Sequence, residues 1–236
     1  MSKRKKLYRI LGVILMLVIV FIAYRIVIHL PKFDEAFARI ETDEKVVALT
    51  FDDGPSSPYS TEILQVLKEH ETKATFFMIG RNIEENRAVA QAVVDQGHQV
   101  GNHTYSHPHM ILKSKKFIAQ EIEVTDSILF TLGVPEGNDF RPPYGQHLFY
   151  VHDYLKTHKR NNVLFDIIVS DWSETDENVI VDRVMSKLKK GSIICLHDGG
   201  GNREATVKAT KLLIPMIKHM GYKLVTIEEL MTYKQS

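Results

Sequence analysis

Cysteine is almost missing from this chain: Cys195 is the only one in 236 residues. No intrachain disulfide can form, so a disulfide-stapled fold is excluded, and a structural zinc site built on several thiolates goes with it. Cys195 stands in an apolar, strand-like run and reads as core. Charge of one sign is equally scarce, with 30 Lys and Arg against 29 Asp and Glu for a formal net charge of +1. No basic stripe with interleaved aromatics appears, which argues against a nucleic-acid partner. Internal repeats and low-complexity tracts are absent. What remains, 44% hydrophobic and 25% charged residues, is ordinary globular composition, and the length suits one sizeable domain plus an appendage.

Long hydrophobic runs are also rare, with one exception. "LYRILGVILMLVIVFIAYRIVIHL", Leu7 to Leu30, follows the basic start "MSKRKK" and carries no charge from Ile10 to Tyr24. A helix of about 20 residues crosses roughly 30 Å of hydrocarbon, and Arg9 and Arg25 can snorkel to the headgroups at its ends. Basic residues ahead of such a helix keep the N-terminus in the cytoplasm and place the following chain outside. The expected organisation is a cytoplasmic basic tail (1–6), a transmembrane anchor (7–30), a charged linker (31–44) and an extracellular domain (45–236). A cleaved signal peptide, leaving a secreted chain, is the rival, but no convincing small-x-small cleavage site follows the apolar core.

Beyond the linker, strand-like and helix-like segments alternate. Strands are expected at Val46–Phe51, Ala74–Ile79, Gln99–Asn102, from Phe140, at Val163–Val169, at Ser192–Leu196 and at Tyr222–Ile227, with helical spacing between them. Regular alternation with apolar strands predicts an α/β fold with a parallel sheet, and seven strands suit a closed or nearly closed (β/α) barrel. In such barrels chemistry gathers at the carboxyl ends of the strands. The unusual polar residues fall there: Asp52-Asp53, "HTYSH" (His103–His107), Arg141–Tyr144, Asp171-Trp172 and His197-Asp198.

"VVALTFDDGPSSP" (46–58) poses the sharpest question, because an apolar strand ends there in two adjacent carboxylates. Asp, Gly and Pro are ordinary turn residues, yet like charges near a core ask for a cation. His103 and His107, together with one carboxylate of the pair, would make a two-His, one-carboxylate site with open positions, as catalytic metals use. The other carboxylate is then free to act as a base on a metal-held water attacking an electrophilic carbon. His197, at another strand end, can protonate the leaving group. Iron(II) oxygenases share this ligand set but use an all-β jelly roll, which the alternation argues against.

With those residues in view, "TFDDGP" (50–55), "HTYSH" (103–107), "RPPY" (141–144), "SDW" (170–172) and "LHD" (196–198) resemble the five ordered motifs of the polysaccharide deacetylases, carbohydrate esterase family 4. The resemblance covers roughly Val46 to Leu230 and implies a distorted seven-stranded (β/α) barrel. It implies a hydrolase of amide C–N bonds that removes N-acetyl groups from a polysaccharide. Since a tether outside the membrane keeps the domain beside the wall, peptidoglycan, at N-acetylglucosamine or N-acetylmuramic acid, is the expected substrate. Chitin oligomers and poly-N-acetylglucosamine are the alternatives, and an inactive glycan-binding barrel is the reading from another class. Site by site, the resemblance implies Asp52 as base, Arg141 as its ion-pair partner, and Asp53, His103 and His107 as ligands of zinc, with cobalt, nickel or manganese as substitutes. It implies the Tyr144 backbone N–H as oxyanion donor, His197 as acid tuned by Asp171, and Trp172, Leu196 and Pro143 against the substrate. The sequence departs from the family pattern at Ile168, where relatives often carry an aspartate.

Overall fold

The computed structural model describes residues 36–235 and, in an N-terminal unit, residues 5, 8, 9 and 12–21. The two compact units are Met1–Asp34 and Glu35–Ser236. In the first unit the described residues are helical, and much of the expected span 7–30 lies outside them. Among the described residues no helix is long and apolar enough to cross a membrane.

In the second unit the chain alternates as expected. In order come β1 (Ala36–Phe37), β2 (Val46–Asp52), α1 (Tyr59–Glu69), β3 (Thr75–Met78), α2 (Gly80–Glu85), α3 (Arg87–Asp95) and β4 (Gln99–Asn102). There follow α4 (Lys115–Phe130), α5 (Tyr150–Thr157), β5 (Asn162–Val163), β6 (Ile167–Ile168), α6 (Glu177–Met185), β7 (Ile193–His197), α7 (Glu204–His219), β8 (Lys223–Val225) and α8 (Ile227–Met231). β2 is the axis: all seven of its residues are buried, and it pairs in parallel with β3, β7 and β8. The sheet runs β4-β3-β2-β7-β6, and single bridges through Phe140 carry it from β4 to β5.

Strand parity sorts the side chains. Val47, Leu49 and Phe51 of β2, with Ile194 and Leu196 of β7, join the outer core against the helices. Val46 and Ala48, with Ile193, Phe77, Val163 and Val225, form a second, inner core. The same inward parity next presents Thr50, Asp52, Cys195 and His197, because Thr50 pairs with Cys195 and Asp52 with His197. The barrel interior is therefore apolar at the amino end of the strands and polar at the carboxyl end.

Three expectations need correction. The fourth strand shrinks to the bridge at Phe140, since Pro142 and Pro143 have no N–H for a ladder. The continuous strand expected over Val163–Val169 is broken, leaving no ladder between β5 and β6 among the described residues. The carbonyls of Val163 and Leu164 turn to the Arg141 guanidinium, and the Asp166 carboxylate accepts from Ile193 N and Ser192 Oγ. Lastly, residues 36–44 are more than connector. β1 pairs with β5, and Ile40, 2% exposed, packs in the inner core. Ile40→Ala should therefore cost about 2–5 kcal/mol in denaturant unfolding, whereas an unchanged midpoint would return this segment to linker status.

Candidate active site

Asp52 ends β2 with its side chain in the barrel mouth, 3% exposed. Arg141, fully buried, donates from Nη1 to Asp52 Oδ1 at 2.7 Å and to Thr50 Oγ1 at 2.7 Å. Nε and Nη2 donate to the carbonyls of Val163 (3.2 Å) and Leu164 (3.1 Å), and the group stacks on the Phe77 ring at 4.0 Å. This buried guanidinium fixes the position of the Asp52 carboxyl through a charge-assisted hydrogen bond. Oδ2 of Asp52 accepts the Cys195 thiol at 3.3 Å.

Asp53 turns the other way because its backbone is left-handed, φ 72°. Its Oδ1 lies 3.5 Å from His103 Nε2 and 3.2 Å from His107 Nε2. The loop carrying His107 is itself unusual, with positive φ at Thr104 (67°) and His107 (55°). His103 Nδ1 lies 2.7 Å from the Arg141 carbonyl and donates to it, which leaves Nε2 as the lone-pair atom. Burial and the neighbouring His103 bring the His107 pKa down to about 4, so this imidazole is neutral at physiological pH.

The three ligand atoms of Asp53, His103 and His107 lie within 4.8 Å of one another. Asp53 Oδ1 is buried without a hydrogen-bond partner. Converging acceptors around an unsatisfied buried oxygen are a poor arrangement for a protein alone and a good one for a divalent cation. A neighbouring group, Asp52, Cys195 and His197, also gathers closely. It is no second metal site, because Arg141 already pairs Asp52 and burial pushes the Cys195 thiol well above its usual range.

Across the pocket, His197 Nδ1 donates to Asp171 Oδ1 at 2.8 Å. Asp171 is locked by the His197 backbone N–H and Thr206 Oγ1, each 2.9 Å from Oδ2. Burial lowers the His197 pKa, but the Asp171 hydrogen bond and charge, with Asp52 and Asp53 behind them, raise it overall. The imidazolium is thus favoured, as an acid requires.

A cavity of about 630 Å³ joins these groups, walled by Pro142, Tyr144, Phe165, Ile168 and Trp172. Trp172 is 46% exposed and sets its ring edge-on to His197 at 5.1 Å. Tyr144, in a left-handed turn (φ 56°), stacks on His109 at 4.2 Å. A second, polar cavity of about 470 Å³ shares Asp53 and His107 with the first and continues past Arg81, Asn82 and Asn86.

The structure thus brings together Asp52, Asp53, His103, His107, Arg141, Tyr144, Asp171, Trp172 and His197. It leaves two expected substrate contacts outside. Leu196 is fully buried in the outer core, because strand parity turns it away from His197 and leaves Cys195 on the inner face. Pro143 is buried, and its neighbour Pro142 lines the cavity instead. Residues not anticipated include Cys195 as a donor to Asp52, and Asp198. Burial and nearby carboxylates push Asp198 up to about 7 while Ser60 Oγ donates to it at 2.5 Å. A Cβ at Gly54 would sit 2.1 Å from the same carboxyl, so only glycine fits there. The motif "LHD" flagged the position of Asp198 without showing its burial.

Comparison with known proteins agrees with this geometry. The polysaccharide deacetylase family pattern matches residues 39–163. A peptidoglycan-N-acetylglucosamine deacetylase of Bacillus cereus is 36% identical over 201 residues, covering 83% of this chain and 92% of that protein. The solved peptidoglycan N-acetylglucosamine deacetylase Bc1960 superposes with a TM-score of 0.81 at 30% identity, over 85% of this chain and 95% of that one. BA3943 of Bacillus anthracis, described as a pseudoenzyme, superposes at 0.78 with 30% identity, over 85% and 70% of the two chains. Motifs, fold and relatives converge, and the chain belongs to the polysaccharide deacetylase family.

Proposed function

We propose that this chain is a metal-dependent hydrolase of N-acetyl groups on an extracellular polysaccharide, with peptidoglycan N-acetylglucosamine or N-acetylmuramic acid as its substrate. The observation behind the metal is the unsatisfied Asp53 Oδ1 facing the Nε2 atoms of two imidazoles. Asp53, His103 and His107 would hold the ion, zinc in the first instance. When bound, such an ion supplies Lewis acidity.

The chain's own residues do the rest. Asp52, held in place by Arg141, takes a proton from the attacking water through the oxygen that faces Cys195. The Tyr144 backbone N–H, in the cavity wall, donates to the oxygen that gains charge as the water adds to the amide carbon. His197, oriented by Asp171, gives its proton to the departing nitrogen, so the products are acetate and a free amine. Trp172, with Phe165 and Ile168, offers apolar walls for the acetyl methyl and a sugar face.

The sequence of the N-terminal run supports a single-pass membrane anchor with this domain outside, beside the wall. The pseudoenzyme relative keeps an inactive glycan-binding barrel in view as the second reading. The roles named above are all filled here, which favours catalysis.

Acetate release from defined acetylated glycans tests the proposal. Asp52→Asn should lower turnover by about 10²–10⁴ while zinc stays bound, and His197→Ala should behave alike. His103→Ala should lose both zinc and activity. Full activity in the His103 variant refutes the ligand assignment, and no acetate from any acetylated glycan with zinc-loaded wild type leaves the inactive barrel.

A further inference from the structure

The loop between the two histidine ligands has an awkward backbone. Thr104 and His107 both adopt positive φ, a conformation that costs a non-glycine residue about 1–3 kcal/mol. Something outside the loop must hold it, and the hydrogen bonds say what. The carbonyls of Thr104 and Tyr105 accept from Gly80 N (2.9 Å) and Arg81 N (3.0 Å) at the start of α2. The Thr104 N–H goes to Asn102 Oδ1 and the His107 N–H to Thr104 Oγ1. The two amides between them, at Tyr105 and Ser106, both donate to Oε2 of Glu121, at 3.1 and 2.8 Å. Oε1 of the same carboxyl accepts the Ser106 hydroxyl at 2.9 Å.

Glu121 lies on the inward face of α4 and is only 8% exposed. All three groups facing it are donors, which suits a carboxylate, an acceptor at both oxygens. Its counter-groups are peptide dipoles and a hydroxyl of the ligand loop, and no ion pair to it occurs among the described residues. A buried carboxyl spent wholly on three consecutive donors of one loop fixes that loop's path, and the next residue in the chain is His107.

We propose that Glu121 is a positioning residue for the metal site: its carboxylate fastens Tyr105 and Ser106 so that His107 Nε2 is delivered to Asp53 and the ion. The inference rests on the reading of Asp53, His103 and His107 as metal ligands. Glu121 touches none of them, so it acts through the loop alone.

Zinc affinity of the full-length chain, measured by competition with a chromophoric chelator, tests this without any substrate. Glu121→Gln keeps the volume but turns one acceptor into an NH₂ facing a donor. It should weaken zinc binding by about 10–100-fold, the range for groups that orient a ligand from behind. The cobalt(II)-substituted variant should also show an altered visible spectrum, and saturating zinc should restore turnover. Should that variant fail to fold, Ser106→Ala removes one of the three contacts and should give a smaller weakening. Wild-type zinc affinity in the folded Gln variant, or in the Ala variant where Gln does not fold, overturns the proposal. So does a fall in metal-free melting temperature with zinc affinity unchanged. A wild-type chain that binds no zinc would overturn the ligand reading itself, and this inference with it. Zinc binding without acetate release would leave this inference standing and remove only the enzymatic reading.

Discussion

Asp52 and Asp53 are neighbours in the chain, and both point charge into the mouth of one barrel. Side by side and partly out of water, two carboxylates repel each other and lose hydration, so each needs its own positive partner. The left-handed turn at Asp53 separates them and sends them to different ones. Asp52 goes to the Arg141 guanidinium. Asp53 goes to two imidazole nitrogens, and its oxygen there is buried without a hydrogen-bond partner. The proposed division of labour between a proton acceptor and a metal ligand rests on that separation.

Arg141 ties the two halves together. Its guanidinium holds Asp52, the proposed base, and its own carbonyl accepts from Nδ1 of His103, a proposed ligand. It also binds the carbonyls of Val163 and Leu164, at the point where β5 ends and the expected strand breaks. A gap in the sheet is thus part of how a buried cation is satisfied next to the site. Truncating one partner of such a pair leaves an uncompensated buried charge, generally worth about 3–5 kcal/mol. Arg141 therefore supports both stability and chemistry.

Much of this was legible in the sequence, for a definite reason. Chemistry at strand ends interrupts apolar runs, so Asp52-Asp53, His103–His107, Asp171 and His197 stood out against Val, Ile and Leu. What was not legible was parity. β7 is buried on both faces, so "IICLH" shows no alternation from which to read which residue faces inward. The family resemblance implies Leu196 against the substrate, but strand parity puts its neighbour Cys195 on the inner face with His197. Glu121 was hidden differently: on an amphipathic helix a glutamate reads as a solvated residue, and only the folded loop reveals its donors. The break after Val163 was equally invisible, since it answers a guanidinium more than 20 residues away in the chain.

X-ray absorption at the metal edge of the zinc-loaded protein tests the central claim most directly. Two imidazole nitrogens and oxygen ligands at about 2.0–2.2 Å, with no sulfur, are expected if Asp53, His103 and His107 hold the ion. A zinc–sulfur shell near about 2.3 Å would put the ion at Cys195 with Asp52 and His197 instead, and a first shell without two imidazoles would contradict the site outright.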